Sequence, residues 1–195
     1  GECFHTGCIA LENRALRPDQ PIFLGVKGDK ALAVAGEIAD GVLLSVGSPV
    51  EYIHHVRERL AVGAEIAGRD PSTIHIAAYL PTCINSDGQK AVDDMREQAA
   101  RYLALHGASA ITAAAGLPQD FCAQFRDAFL RGEKLNTSIP DEFVDKLVIA
   151  GTPEHCRRRL QEYRDAGVDM PVIYEAAGNQ SPEDSLDHVG RYLLD

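Results

Sequence analysis

The stretch over residues 21–48, PIFLGVKGDKALAVAGEIADGVLLSVGS, constrains the fold more than any other part of the chain. An apolar run, Pro21 to Leu24, stops at Gly25 and gives way to the loop Gly25-Val26-Lys27-Gly28. An alanine-rich amphipathic segment follows from Asp29 to Asp40. It is stopped by Gly41, and a second apolar run, Val42-Leu43-Leu44, comes next. Short apolar runs bounded by glycine read as buried strands, and the segment between them has helical period. Strand, helix and strand in so short a span require a crossover and therefore a parallel pair. The loop at 25–28 then lies at the carboxyl end of a strand and the amino end of a helix. Backbone N–H groups there lack intrahelical partners and the helix dipole favours an anion. Gly25, Val26, Lys27 and Gly28 are therefore candidates for holding a phosphate. The alternative is that the two glycines only permit a tight turn.

The rhythm continues down the chain. Leu32, Ala35, Gly36 and Ala39 share one helical face, and the small residues among them are expected to let this helix sit close to the sheet. Ser48-Pro49-Val50-Glu51 reads as a helix start, with serine as cap and proline in the first helical position. Val50, Ile53, Val56, Leu60 and Ala64 carry that helix to Gly68. His54 and His55 are neighbours on it, about 100° apart, and are read as solvent-facing rather than as a chelating pair. Residues 74–84 form the next strand, with Pro81 arguing against an uninterrupted central strand beyond Leu80. A helix follows over about 89–105. Residues 108–150 break the pattern with three short helical segments, the last ending near Ala150-Gly151. One of them carries Phe121, Phe125 and Phe129 as a packing stripe. Thr152-Pro153-Glu154 starts another helix, Val168 to Tyr174 is the next strand, and Ser181-Pro182 opens a final helix.

Four strands, marked by Ile22, Val42, Ile76 and Val172, thus alternate with helices, which suggests barrel staves. The expected fold class is α/β, of the (β/α)8 TIM-barrel type, as a carboxyl-terminal half-barrel with a helical insertion. The expected organisation is a single domain: a hairpin and linker over 1–20, βα units over 21–107, the insertion over 108–150 and the last βα units over 151–195. A half-barrel leaves two parallel edges exposed. The first residue is glycine, and the only methionines are Met95 and Met170. A fragment lacking an amino-terminal part is therefore the expectation.

Composition excludes several function classes. The formal charge is −10, from 19 basic and 29 acidic residues, which argues against nucleic acid or anionic lipid as the main partner. No apolar window approaches the ~18 residues of a membrane span. The opening residues lack the basic-then-apolar pattern of a secretory leader. Five cysteines, widely spaced and without a CxxC, point to reduced thiols and a cytoplasmic setting, with no metal site.

The opening stretch also resembles the luciferase-like monooxygenase superfamily, most closely its coenzyme F420 (deazaflavin)-dependent branch, which includes methylenetetrahydromethanopterin reductase. The residues that carry the resemblance are the turn Gly25-x-x-Gly28-x-Lys30 and the helix end Ala35-Gly36-Glu37-Ile38-Ala39-Asp40-Gly41. Further matches are Pro140 to Asp145 and the run from Ile149-Ala150-Gly151-Thr152-Pro153-Glu154 to Tyr163-Arg164-Asp165-Ala166-Gly167-Val168-Asp169. The family usually has proline where this chain has Asp29, a carboxylate that would repel a phosphate. The resemblance implies an oxidoreductase that moves hydride between a deazaflavin, or FMN as second choice, and a small-molecule substrate. It also implies a homodimer. Gly25, Val26, Lys27 and Gly28 would hold the cofactor phosphate. Ser45, Tyr79 and Glu175, at or near carboxyl ends of strands, are candidates for lining a substrate pocket. No catalytic residue is assigned. The alternative is a non-catalytic half-barrel that binds a flavin or pairs with another subunit.

Overall fold

The computed structural model describes residues 7, 16, 17, 19–175 and 182–193. The hairpin expected within residues 1–20 falls outside the described residues, as do Cys3, Cys8 and residues 176–181. Five strands and eight α-helices are described: β1 (Phe23–Gly25), α1 (Asp29–Ile38), β2 (Gly41–Leu44), α2 (Val50–Ile66), β3 (His75–Ile84), α3 (Gly88–His106), α4 (Ala110–Ala114), α5 (Gln119–Leu130), α6 (Asp141–Leu147), β4 (Ile149–Gly151), α7 (Pro153–Asp165), β5 (Met170–Glu175) and α8 (Pro182–Leu193). All paired strands are parallel. β1 pairs β2, β2 pairs β3, and β3 pairs both β5 and β4. The four strands expected from the sequence are β1, β2, β3 and β5, lying side by side in chain order.

Register and the two-residue period of a strand sort the sheet into two faces. One face carries Val42, Leu44, Ile76, Ala78 and Leu80, all buried, in one core with Leu32, Ala35, Tyr52, Ile53, Leu60, Leu160 and Tyr163 from α1, α2 and α7. The opposite face carries Phe23, Leu43, His75, Tyr79, Val172 and Tyr174, none of them fully buried. Helices therefore cover one side of a parallel sheet, as around a sector of a barrel. A second core lies under the helical insertion. It joins Met95, Ala99 and Leu103 of α3 to Cys122 and Phe125 of α5 and to Val144 and Leu147 of α6.

Several expectations are corrected. β4 occupies residues read as the end of a helix: α6 stops at Leu147, and Ile149–Gly151 pair with Thr82–Ile84. β3 runs through Pro81 to Ile84. At Pro81 it pairs with β5 alone, because the β2 register ends at Ala78 and the β4 register starts at Thr82. No second ladder there requires the N–H that proline lacks. The cap of α2 is Pro49 without a side-chain bond, and the Ser48 hydroxyl instead donates to the Ser45 carbonyl at 2.8 Å. The phenylalanine stripe divides. Phe121 packs edge-on against Phe125 and Phe143, whereas Phe129 is 58% exposed. The small residues of α1 serve α2 rather than the sheet. A Cβ on Gly36 would stand 2.2 Å from the Leu60 carbonyl oxygen, and one on Gly63 would stand 1.7 Å from that of Ala33.

Candidate functional site

The carboxyl ends of β1 and β2, with the middle of β3, open into a cleft of ≈ 440 Å³ lined by Gly25, Val26, Lys27, Leu43, Leu44, Ser45, Val46 and Tyr79. Tyr79, expected near a strand's carboxyl end, thus proves mid-strand. Five residues singled out from the sequence meet here: Gly25, Val26, Lys27, Ser45 and Tyr79. Gly28 stands beside the lining as the N-cap of α1. Glu175 ends β5 opposite Thr82, so its backbone lies at the same end of the sheet. Its side chain lies outside the described residues.

Gly25 and Gly28 are not held in the left-handed region. A Cβ at either position would meet nothing within 4 Å. Neither glycine is thus required by the backbone or by packing within the chain. At Gly25 the unfilled space is in the cleft itself, so the missing side chain leaves room for a ligand to approach the backbone. The charge near the loop is mixed. Lys27 lines the cleft, and Asp29 sits in the first turn of α1.

α2 fixes this loop from behind. The Tyr52 hydroxyl donates to the Lys27 carbonyl. One turn on, His55 Nε2 lies 2.8 Å from Asp29 Oδ1. That contact corrects the reading of both histidines as solvent-facing: His54 is exposed, but His55 is half-buried and engaged. The hydrogen bond from His55 holds the Asp29 carboxyl below its ordinary range. Burial, with Asp29 nearby, pushes the Tyr52 phenol up to about 12.

The β2–α2 loop is pinned by three other groups. His106 Nε2 meets the Val46 carbonyl at 2.7 Å, and the Tyr163 hydroxyl donates to the Ser48 carbonyl at 3.0 Å. Gly47, at φ 67°, lies against the Tyr102 ring, where a Cβ would come within 2.9 Å. Burial lowers the His106 pKa, so the imidazole is neutral near pH 7. A neutral ring whose Nε2–H donates to Val46 carries an unprotonated Nδ1, and that buried atom has no partner among the described residues.

Tyr52, His55 and His106 escaped the sequence reading. Each acts on a loop 25, 26 or 60 residues away, a distance no local pattern encodes. A partial signal existed for His55, because a helix packed beside a strand-end loop presents residues one turn apart to it. Among the described residues, no group of three or more His, Cys, Asp or Glu is placed to hold a metal ion. No described helix is long and apolar enough to cross a membrane.

The sequence model of the luciferase-like monooxygenase family matches residues 1–170. The chain is 29% identical over 179 residues to 5,10-methylenetetrahydromethanopterin reductase of Methanolobus tindarius, covering 90% of this chain and 54% of that protein. Its structure is similar to that of the coenzyme F420 dependent tetrahydromethanopterin reductase from Methanopyrus kandleri. The TM-score is 0.81 at 24% identity, over 100% of this chain and 56% of that one. It is also similar to an F420-dependent secondary alcohol dehydrogenase in complex with an F420-acetone adduct, with a TM-score of 0.64 at 16% identity, over 91% and 49%. These likenesses bear out the α/β, TIM-barrel-type fold read from the sequence. The chain spans about half the length of the curated relatives it matches.

Proposed function

The chain belongs to the luciferase-like monooxygenase family, and from that premise we propose that it supplies the carboxyl-terminal half-barrel of an F420-dependent oxidoreductase. The reaction is hydride transfer between a deazaflavin and a small organic substrate. Relatives named as methylenetetrahydromethanopterin reductase and as F420-dependent oxidoreductases support the cofactor class. The observation that carries the reading is the open space over Gly25, in a cleft bounded by Lys27 and beside the amino end of α1. A phosphate fits this chemistry: a lysine, peptide N–H groups reachable because no Cβ intervenes, and the positive end of a helix dipole.

In this reading Gly25, Val26, Lys27 and Gly28 hold the phosphate tail. Tyr52 and His55 keep the loop in place from α2, His55 through its hydrogen bond to Asp29. Ser45 and Tyr79 line the substrate side of the cleft, and Glu175 joins them by its place at the end of β5. When bound, the deazaflavin supplies the hydride-carrying ring carbon. The chain's own contribution is to orient that ring by its tail and to wall the cleft with Leu43, Leu44 and Val46. The same reading carries a homodimer and a cytoplasmic setting. The buried thiols of Cys122 and Cys156 suit a reducing compartment.

The test is titration of the full-length protein with oxidised F420 and, separately, with FMN, followed by absorbance and fluorescence. Saturable F420 binding that competes with inorganic phosphate supports the reading. Preference for FMN would redirect it to a flavin enzyme, and binding of neither would sink it.

A further inference from the structure

Beside the cleft stands Tyr174, a tyrosine that the sequence did not mark as a site residue. Tyr174 lies on β5, two residues beyond Val172, which pairs with Tyr79 of β3. By strand period Tyr79 and Tyr174 project from the same face of the sheet. Their rings meet edge-on, with centroids 6.3 Å apart, so Tyr174 sits directly beside a residue of the cleft lining. The Tyr174 hydroxyl is hydrogen-bonded to that of Tyr102, which is 3% exposed. Gln98 Nε2 in turn donates to the Tyr102 oxygen at 2.9 Å.

These bonds have a direction. An amide nitrogen only donates, so Gln98 occupies a lone pair of the Tyr102 oxygen. Tyr102 is buried and its proton has no other acceptor among the described residues, so the arrangement that leaves no buried donor unpaired has Tyr102 donating to the Tyr174 oxygen. Tyr174 accepts that bond and keeps its own proton, for which no second partner exists among the described residues. Tyr102 is held in its turn by packing against Gly47, so the array is rigid on the side away from the cleft. Burial and the bond to Tyr174 raise the Tyr102 pKa well above the ordinary phenol value, so Tyr102 keeps its proton at pH 7.

We infer that Tyr174 is a ligand-contacting residue, its O–H aimed as a donor by the relay Gln98→Tyr102→Tyr174 toward a neutral acceptor seated over Tyr79. The acceptor is a carbonyl oxygen or ring nitrogen. It belongs either to the deazaflavin ring system or to the substrate beside it. Gln98 and Tyr102 are positioning residues that act through Tyr174. This rests on the oxidoreductase reading above and adds to it a specific donor on β5.

The experiment compares wild type, Tyr174→Phe and Gln98→Glu in the full-length protein. Each is titrated with oxidised F420, then with a reduced pterin added to the F420-loaded protein. Tyr174→Phe removes the donor and should weaken one of the two bindings by about 3- to 30-fold. The arm that responds identifies the source of the acceptor. Gln98→Glu is nearly isosteric, but its carboxylate accepts from Tyr102. That reverses the relay and draws the Tyr174 proton away from the cleft. It should reproduce the loss of Tyr174→Phe in the same arm, with the thermal midpoint close to wild type. Both variants binding both ligands like wild type would overturn the inference while leaving the cofactor reading intact. Loss in Tyr174→Phe with none in Gln98→Glu would overturn the relay. Failure of wild type itself to bind F420 would overturn the cofactor reading and the inference together.

Discussion

His55 Nε2 on α2 lies 2.8 Å from Asp29 Oδ1 at the first turn of α1, so the carboxylate nearest the proposed phosphate loop is already engaged from behind. Asp29 suits the helix dipole but opposes an incoming anion, and His55 decides how strongly. Removing the histidine as His55→Leu frees the Asp29 carboxylate of its hydrogen bond and should weaken F420 binding by about two- to fivefold at low ionic strength. Asp29→Asn should strengthen it by a similar factor. Both effects should shrink at high salt, because Asp29 is half exposed. Titrations at two salt concentrations check this. Equal affinities for all three proteins would mean that the phosphate lies elsewhere.

The residues that the sequence made legible are those where chain direction changes. Gly25 to Gly28 and Ser45 follow the ends of apolar runs, and a parallel sheet brings such ends to one side, whereas Tyr79 lies within β3. The strands marked by Val42, Ile76 and Val172 were readable because buried parallel strands are nearly continuous apolar runs, whereas Ile22 proves exposed and lies just before β1. β4 was not, since Val148-Ile149-Ala150 continues the apolar pattern of α6, and three paired residues leave no period to detect. Pro81 misled for a different reason. Its cost depends on how many neighbours a strand has at that one residue, which only the register of β2, β4 and β5 reveals. The supports of the site, Tyr52, His55 and His106, are set by the packing of α2 and α3 over the loops, and that packing follows from the fold.

The crossing of α1 and α2 should be the most substitution-sensitive contact in the first core. A Cβ at Gly36 or Gly63 would meet backbone carbonyl oxygens at 2.2 and 1.7 Å, and backbone has no rotamer by which to yield. Gly36→Ala and Gly63→Ala should each cost about 1–3 kcal/mol, against the small gain alanine normally brings to a helix interior. Their effects should fall short of additive, because either substitution already forces the helices apart. Urea denaturation of the two single variants and the double variant measures both claims.

His106 should make stability fall on mild acidification. Burial holds its folded-state pKa below the ordinary 6.5, so the unfolded chain takes up a proton first. Its contribution is fully present above about pH 6.5 and is lost as the pH drops through the depressed folded value. Protonation adds a buried charge at Nδ1, which has no acceptor in reach among the described residues. His106→Gln keeps a donor for the Val46 carbonyl but does not titrate. Thermal midpoints measured from pH 7.5 to 5 should decline more steeply for wild type than for this variant. Parallel curves would show that another group governs the range.

Gly25 separates folding from ligand space. Its backbone is not in the left-handed region, and a Cβ there would touch nothing within 4 Å. Gly25→Ala should therefore fold within about 0.5 kcal/mol of wild type, as a surface substitution without strain does. A chain-internal role for the glycine, in turn geometry or close packing, would instead show as a clear loss of stability. Gly25→Leu extends the side chain into the cleft beside Leu43 and Tyr79 and should leave the thermal midpoint near that of alanine. Its F420 affinity should nevertheless fall about tenfold or more, since a bulky group there removes both the approach to the backbone and the room for the ligand. Intact folding with lost binding would tie the glycine to the ligand. Intact folding with intact binding would move the cofactor away from this loop.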